Sequence, residues 1–178
     1  AFPHKPAAVL LAPWAAAEAG DVEDSLVRPQ VRGDRLVDYF GQLGQAALFE
    51  RAKRYGEAET DYKAAVSVAN PTEMAVIGYG EFLERRGRRV DALALYEQHL
   101  AREPGSVAVK AAKARAAEGK VTPPMMTIRQ GAAQALLAPA ATMIAAKQTQ
   151  LSLAYLRLLL RLDPQRDEAW VMVGDLMQ

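Results

Sequence analysis

The side chains with chemistry to offer are few: His4 and His99, the acidic pairs Glu57/Glu59 and Glu81/Glu84, and the run Arg85-Arg86-Gly87-Arg88-Arg89. Cysteine is absent, which removes thiolate nucleophiles, thiolate zinc sites and disulfides at once. A lone histidine with no second His and no paired carboxylates at ligand spacing makes no metal site. His99 falls at an inward helical position beside Leu100 and reads as a packed core residue. Glu57 and Glu59 lie on different faces of a helix, and Glu81 and Glu84 share a face with Arg85, so both pairs read as solvated or rim charges rather than an acid–base couple. There is no phosphate loop, nucleophile elbow or Ser/His/Asp grouping. The sequence therefore predicts no enzyme, no metal and no cofactor. The arginine run could meet phosphates, but Glu81, Glu84 and Asp91 flank it and no aromatic residue interleaves with it to stack on bases. It reads as a solvated turn, and no nucleic acid partner is expected.

The elements that carry these residues are legible from spacing. Between Thr72 and Ser106, Val76, Tyr79, Gly80 and Leu83 recur at i, i+3, i+4, i+7, and Ala92, Tyr96, His99 and Leu100 resume a helical face after the break at Arg86-Gly87-Arg88. A helix, a glycine turn and a second helix ending at Pro104-Gly105 predict an antiparallel hairpin. No segment alternates apolar and polar residues with β-branched enrichment, so the class is all-α.

With 178 residues the chain suffices for one ordinary domain or a few stacked small units. A formal charge of +1 gives no global field toward nucleic acid, membrane or an acidic partner. No apolar stretch approaches the roughly 18–20 residues of a membrane helix, so no membrane insertion and a soluble protein are expected, with periplasm and cytoplasm both open. Lys5 ahead of the apolar run Ala7 to Ala17 has the look of a targeting signal, but Pro13 and Trp14 interrupt it, and it reads as a buried helix. The start at Ala1 and the stop at Gln178 inside an apolar helical pattern suggest a piece of a longer chain.

In order, the pattern predicts a helix over about 6–19 closed by Gly20, and a short one from Val22 to Val27 capped by Asp21. A long helix follows from about Asp34 to Lys53, then a turn at Tyr55-Gly56-Glu57 and a partner helix stopped by Asn70-Pro71. Features of this pair return thirty-four residues later: Ala58 as Ala92, Tyr62 as Tyr96, Asn70 as Pro104. A fixed period of this size is the mark of a solenoid.

Gly80, Gly87, Ala92, Tyr96 and Pro104 resemble the tetratricopeptide repeat, standing where that family has its small residue in helix A, its turn, its small and aromatic residues in helix B, and its closing proline. Trp170, Val173 and Gly174, after Leu162-Asp163-Pro164, resemble the helix A signature again. The chain is similar to an internal stretch of long bacterial, particularly alphaproteobacterial, tetratricopeptide proteins. The resemblance implies an α-solenoid of about four hairpins plus a terminal helix over residues 1–178. Hairpins are expected at about 6–38, 39–72, 73–106 and 133–166, an irregular helix and crossing segment at 107–132, and the terminal helix at 167–178. The 6–38 and 133–166 units are degenerate, since Pro29 stands where an aromatic belongs and Pro139 should kink its helix. Gly119, Pro123 and Pro124 forbid a helix after Ala117, which predicts an extended crossing from Lys120 to Thr127 where the superhelix would change pitch or open.

The resemblance also implies a concave, peptide-binding groove lined by Phe40, Leu43, Ala47, Glu50 and Arg51, then Met74, Ile77, Glu81, Glu84 and Arg85, then Ala108, Ala111 and Arg115. Ile77 and Glu81 occupy the places where the family's chaperone-tail clamp has lysine and asparagine, and the acid would repel a carboxylate, so that role is not expected. An amphipathic helix or an extended apolar peptide fits Phe40, Leu43, Met74 and Ile77, giving a protein or peptide partner and a non-catalytic scaffold. The alternative is a structural or oligomerisation segment of a larger envelope-associated protein. Leu151 to Leu162 and Trp170 to Met177 are apolar nearly all round, which predicts a further packing partner or a homodimer through the C-terminal helices.

Overall fold

The computed structural model describes residues 4–177. Among them are eleven α-helical segments and no strand. They form two compact units: one holds residues up to Lys53 together with those from Met126 onward, and the other is Arg54–Met125.

The first unit begins with α1 (Lys5–Ala19), whose Pro6 sits in the first turn, where a missing N–H costs no bond. Gly20 ends it in the left-handed region at φ 83°, and the Asp21 N–H returns to the Ala16 carbonyl at 2.9 Å. The Asp21 carboxylate then accepts the Asp24 N–H to cap α2 (Val22–Ser25). Asp34 caps α3 (Arg35–Arg51) by accepting the N–H groups of Leu36 and Val37. The rest of the unit is α8 (Ile128–Ala135), α9 (Leu137–Ala145), α10 (Thr149–Leu162) and α11 (Asp167–Leu176). Trp14 of α1 is its centre. Its ring lies against Gly131 of α8, where any Cβ would overlap it, and within 3.4 Å of the place a Cβ would take on Gly44 of α3. Leu10, Val37, Ala47, Leu48, Ala135 and Ala138 close around it.

The expected kink near Pro139 takes the form of a break. α8 ends at Ala135 with Leu136 as its cap, and Pro139 falls in the first turn of α9, where its missing N–H leaves no bond unmade. α10 buries Leu153, Leu156 and Leu159 but leaves Leu158 exposed. α11 buries only Ala169; Trp170 and Val171 are 55% and 62% exposed, and the Trp170 indole N–H donates to the Pro164 carbonyl.

The second unit is α4 (Tyr55–Val66), α5 (Glu73–Arg85), α6 (Arg89–Arg102) and α7 (Val107–Ala117), followed by chain without regular secondary structure. Each helix packs on the next, and α7 also packs on α5. Positions thirty-four apart share an environment. Ala58 and Ala92 are fully buried, Tyr62 and Tyr96 are core aromatics, and the Thr72 and Ser106 hydroxyls cap α5 and α7 through the N–H groups of Ala75 and Val109. Arg54 pairs with Glu57 three residues on, as Arg88 does with Asp91. Turn residues recur too: Lys53 and Gly87 both have positive φ, 61° and 77°. The turn expected at Tyr55-Gly56-Glu57 thus lies just before Tyr55, which already begins α4, with a lysine rather than a glycine in the left-handed region.

Gly80 closes on the Tyr96 ring, and a Cβ there would overlap Cε1, Cζ and the hydroxyl. The Tyr96 ring, four positions beyond Ala92 on α6, is what requires the small residue at position 80.

Candidate functional site

In the second unit, Glu81, Glu84 and Arg85 near the end of α5 and Arg115 near the end of α7 form one polar network. The Glu84 side chain is wholly buried. Its Oε1 accepts the Tyr96 hydroxyl at 2.9 Å and an Arg115 guanidinium N–H at 2.7 Å, and its Oε2 accepts the Thr122 hydroxyl at 3.2 Å. Arg115 also donates to Glu81 at 3.3 Å, and Arg85 Nη1 lies 3.9 Å from the second Glu81 oxygen. Arg85 donates in addition to the Pro123 carbonyl at 3.1 Å. One end of the α5–α7 surface is therefore a carboxylate–guanidinium cluster that grips two residues of the non-helical segment after α7.

Burial and charge act against each other here. Burial pushes the Glu81 carboxyl above its usual range, and Arg115 and Arg85 only partly offset it. Burial raises the Tyr96 phenol, the hydrogen bond to Glu84 adds to it, and the hydroxyl stays a donor. For Arg115 burial works against the charge, but Glu84 and Glu81 outweigh it and the guanidinium is held more firmly protonated. Removing one member of such a cluster leaves its partner's charge buried alone, which generally costs about 3–5 kcal/mol.

A second, more open network lies across α4, α5 and α6. Glu59 Oε1 is 2.9 Å from Lys63 and accepts from Arg88 at 2.8 Å and from the Tyr79 hydroxyl at 3.2 Å. Hydrogen bonds from Lys63 and Arg88 pull the Glu59 carboxyl down to about 2, while burial and then Glu59 push the Tyr79 phenol up to about 12. Tyr79 stacks on Tyr62 at 5.9 Å, and Phe82 completes the aromatic group.

The remaining residues expected in the groove divide by unit. Met74 and Ile77 are half-buried on α5, and helical spacing sets them on the face that carries Glu81 and Glu84; Ala108 and Ala111 are exposed on α7. In the first unit Phe40 is half-buried, Leu43 is buried, Ala47 belongs to the core around Trp14, and Glu50 is buried. Arg51 there donates to the Met126 carbonyl at 2.8 Å. Sequence reading missed Thr122 and Pro123 as partners of the cluster. Pro123-Pro124 announced an extended segment, but nothing local indicates where such a segment lies.

The arginine run is largely engaged within its own unit. Arg85 holds Glu81 and Pro123, Arg86 lies 3.9 Å over the Tyr55 ring, and Arg88 binds Glu59 and Asp91. His99 is buried and lines a cavity of about 30 Å³ with Asn70, Pro71 and Arg102. His4 Nδ1 is in hydrogen-bond contact with the Tyr155 hydroxyl at 2.6 Å. Among the described residues no group of three or more His, Cys, Asp or Glu could hold a metal, and no helix is long and apolar enough to cross a membrane. Compared with known proteins, the chain matches no family model, no curated protein and no solved structure.

Proposed function

We propose that this chain is a non-catalytic scaffold for protein–protein interaction, made of helical hairpins in the tetratricopeptide manner, and that the α5–α7 surface of its second unit is the peptide-binding groove. The thirty-four-residue recurrence of caps, turns, small residues and tyrosines between α4–α5 and α6–α7 supports the repeat architecture. Stacked hairpins of this kind share a core and leave helix faces for partners.

The observation that carries the reading is that this surface already holds a non-helical segment, through Arg85 on the Pro123 carbonyl and Glu84 on the Thr122 hydroxyl. Met74 and Ile77 continue the same face with half-buried apolar side chains, suited to an extended or helical apolar segment. The acids and arginines serve as anchors: Arg115 holds Glu81 and Glu84, while Glu84 and Arg85 meet the Thr122 hydroxyl and the Pro123 carbonyl.

Met74→Glu and Ile77→Glu test the reading. Each places a carboxylate on the apolar part of the groove at a partly exposed site, so the chain should keep its helical circular dichroism and melting profile while losing capture of its partner from lysate. Unchanged capture would favour the other reading, an oligomerisation segment, for which the exposed Trp170 and Val171 of α11 speak.

A further inference from the structure

Thr122 and Pro123 of the same polypeptide are held at the polar end of this surface. α7 ends before Gly119, which adopts φ 69°, and residues 120–127 form no helix. Only Thr122 and Pro123 of the stretch 121–125 are half-buried; Val121 is 91% exposed, and Pro124 and Met125 are exposed as well. The strap is thus fastened at two adjacent residues by two side chains of α5, without the continuous apolar burial that fixes a core element.

We propose, building on the reading of this surface as a peptide site, that residues 121–125 are an intramolecular ligand of the groove, and that the groove takes extended segments in which a hydroxyl-bearing residue precedes proline. Glu84 Oε1 is already engaged by Tyr96 and Arg115, so the open valence is on Oε2, which accepts a donor and repels an acid. A serine or threonine hydroxyl meets that need; a phosphorylated or acidic side chain meets Glu84 and Glu81 instead. Arg85 requires an acceptor one residue on, and the prolyl carbonyl supplies it while the ring keeps the backbone extended. A tethered ligand acts at an effective concentration on the order of millimolar, so any free segment must displace it. Binding in trans is therefore coupled to release of the strap.

The probe is a fluorescein-labelled peptide of residues 119–127, titrated into the full chain and followed by anisotropy. Thr122→Val keeps the shape of the side chain but removes its donor to Glu84. A hydrogen bond to a charged acceptor is worth about a factor of ten in binding, so the variant chain should bind the probe about tenfold more tightly than the unaltered chain. A probe carrying valine in place of threonine should bind that variant about tenfold more weakly. Equal affinity of the two chains, or no binding by either, overturns the proposal.

Should Thr122→Val not fold, Val121→Cys provides a second readout, since the chain has no other cysteine and Val121 is on the surface. A label there should become more mobile when excess unlabelled probe is added; unaltered mobility at saturation overturns the proposal as well. If these assays fail while Met74→Glu still abolishes partner capture, the intramolecular ligand is refuted and the groove stands. If both fail, the groove falls with it.

Discussion

Gly80 carries no side chain in a place where Tyr96 leaves no room for one. A methyl group there must push back a fully buried ring whose hydroxyl is tied to Glu84. Gly80→Ala should therefore cost about 1–3 kcal/mol by overpacking, despite alanine's better helix propensity, and a denaturant titration would show it. An unchanged midpoint would mean that the ring does not occupy that place. Glu59 makes a prediction of a different kind. Its folded-state carboxyl sits at about 2 against an ordinary 4.5, chiefly through hydrogen bonds from Lys63 and Arg88. A depressed carboxyl stabilises the fold above its unfolded value, and that contribution is lost as the pH falls from about 4.5 toward 2. Urea midpoints of the unaltered chain should decline more steeply across that window than those of Glu59→Gln; parallel profiles would contradict the assignment. Glu81 has the opposite sign, because its raised carboxyl favours the folded state at acid pH and gives that up as the pH rises.

At the scale of helices, the local punctuation was readable and the long-range pairing was not. Asp21 as a cap, Gly20 as a stop, the Gly87 turn and the break from helix after Ala117 all follow from the chemistry of one or two residues. Lys53 and Lys147 escaped notice as turn residues because nothing in a lysine announces a positive φ. Periodicity tells which face of a helix is apolar but not which helix will cover it. Trp14 illustrates the limit: Gly44 and Gly131, the two glycines it lies against, are separated by about half of the chain. The candidate site divides in the same way. Glu81, Glu84, Arg85 and Arg115 share faces that helical spacing gives, so their grouping was partly legible. Thr122 and Pro123 join them from thirty-eight positions away, on a segment that itself has no periodicity to read.

Over the whole molecule, one compact unit is assembled from the two ends of the chain and the other from its unbroken middle, Arg54–Met125. The middle unit holds the recurrence, the buried cluster and the strap. In the function proposed here its own sequence supplies both a receptor surface and a ligand for it, and that surface must be able to exchange one segment for another. A crystal structure of Thr122→Val with the peptide of residues 119–127 tests this most directly. The account predicts that the peptide lies along α5 and α7, with its threonine hydroxyl on Glu84 and the next carbonyl on Arg85, and that residues 121–125 of the chain have left those side chains. A peptide bound elsewhere, or residues 121–125 still seated on Glu84 and Arg85, would contradict it.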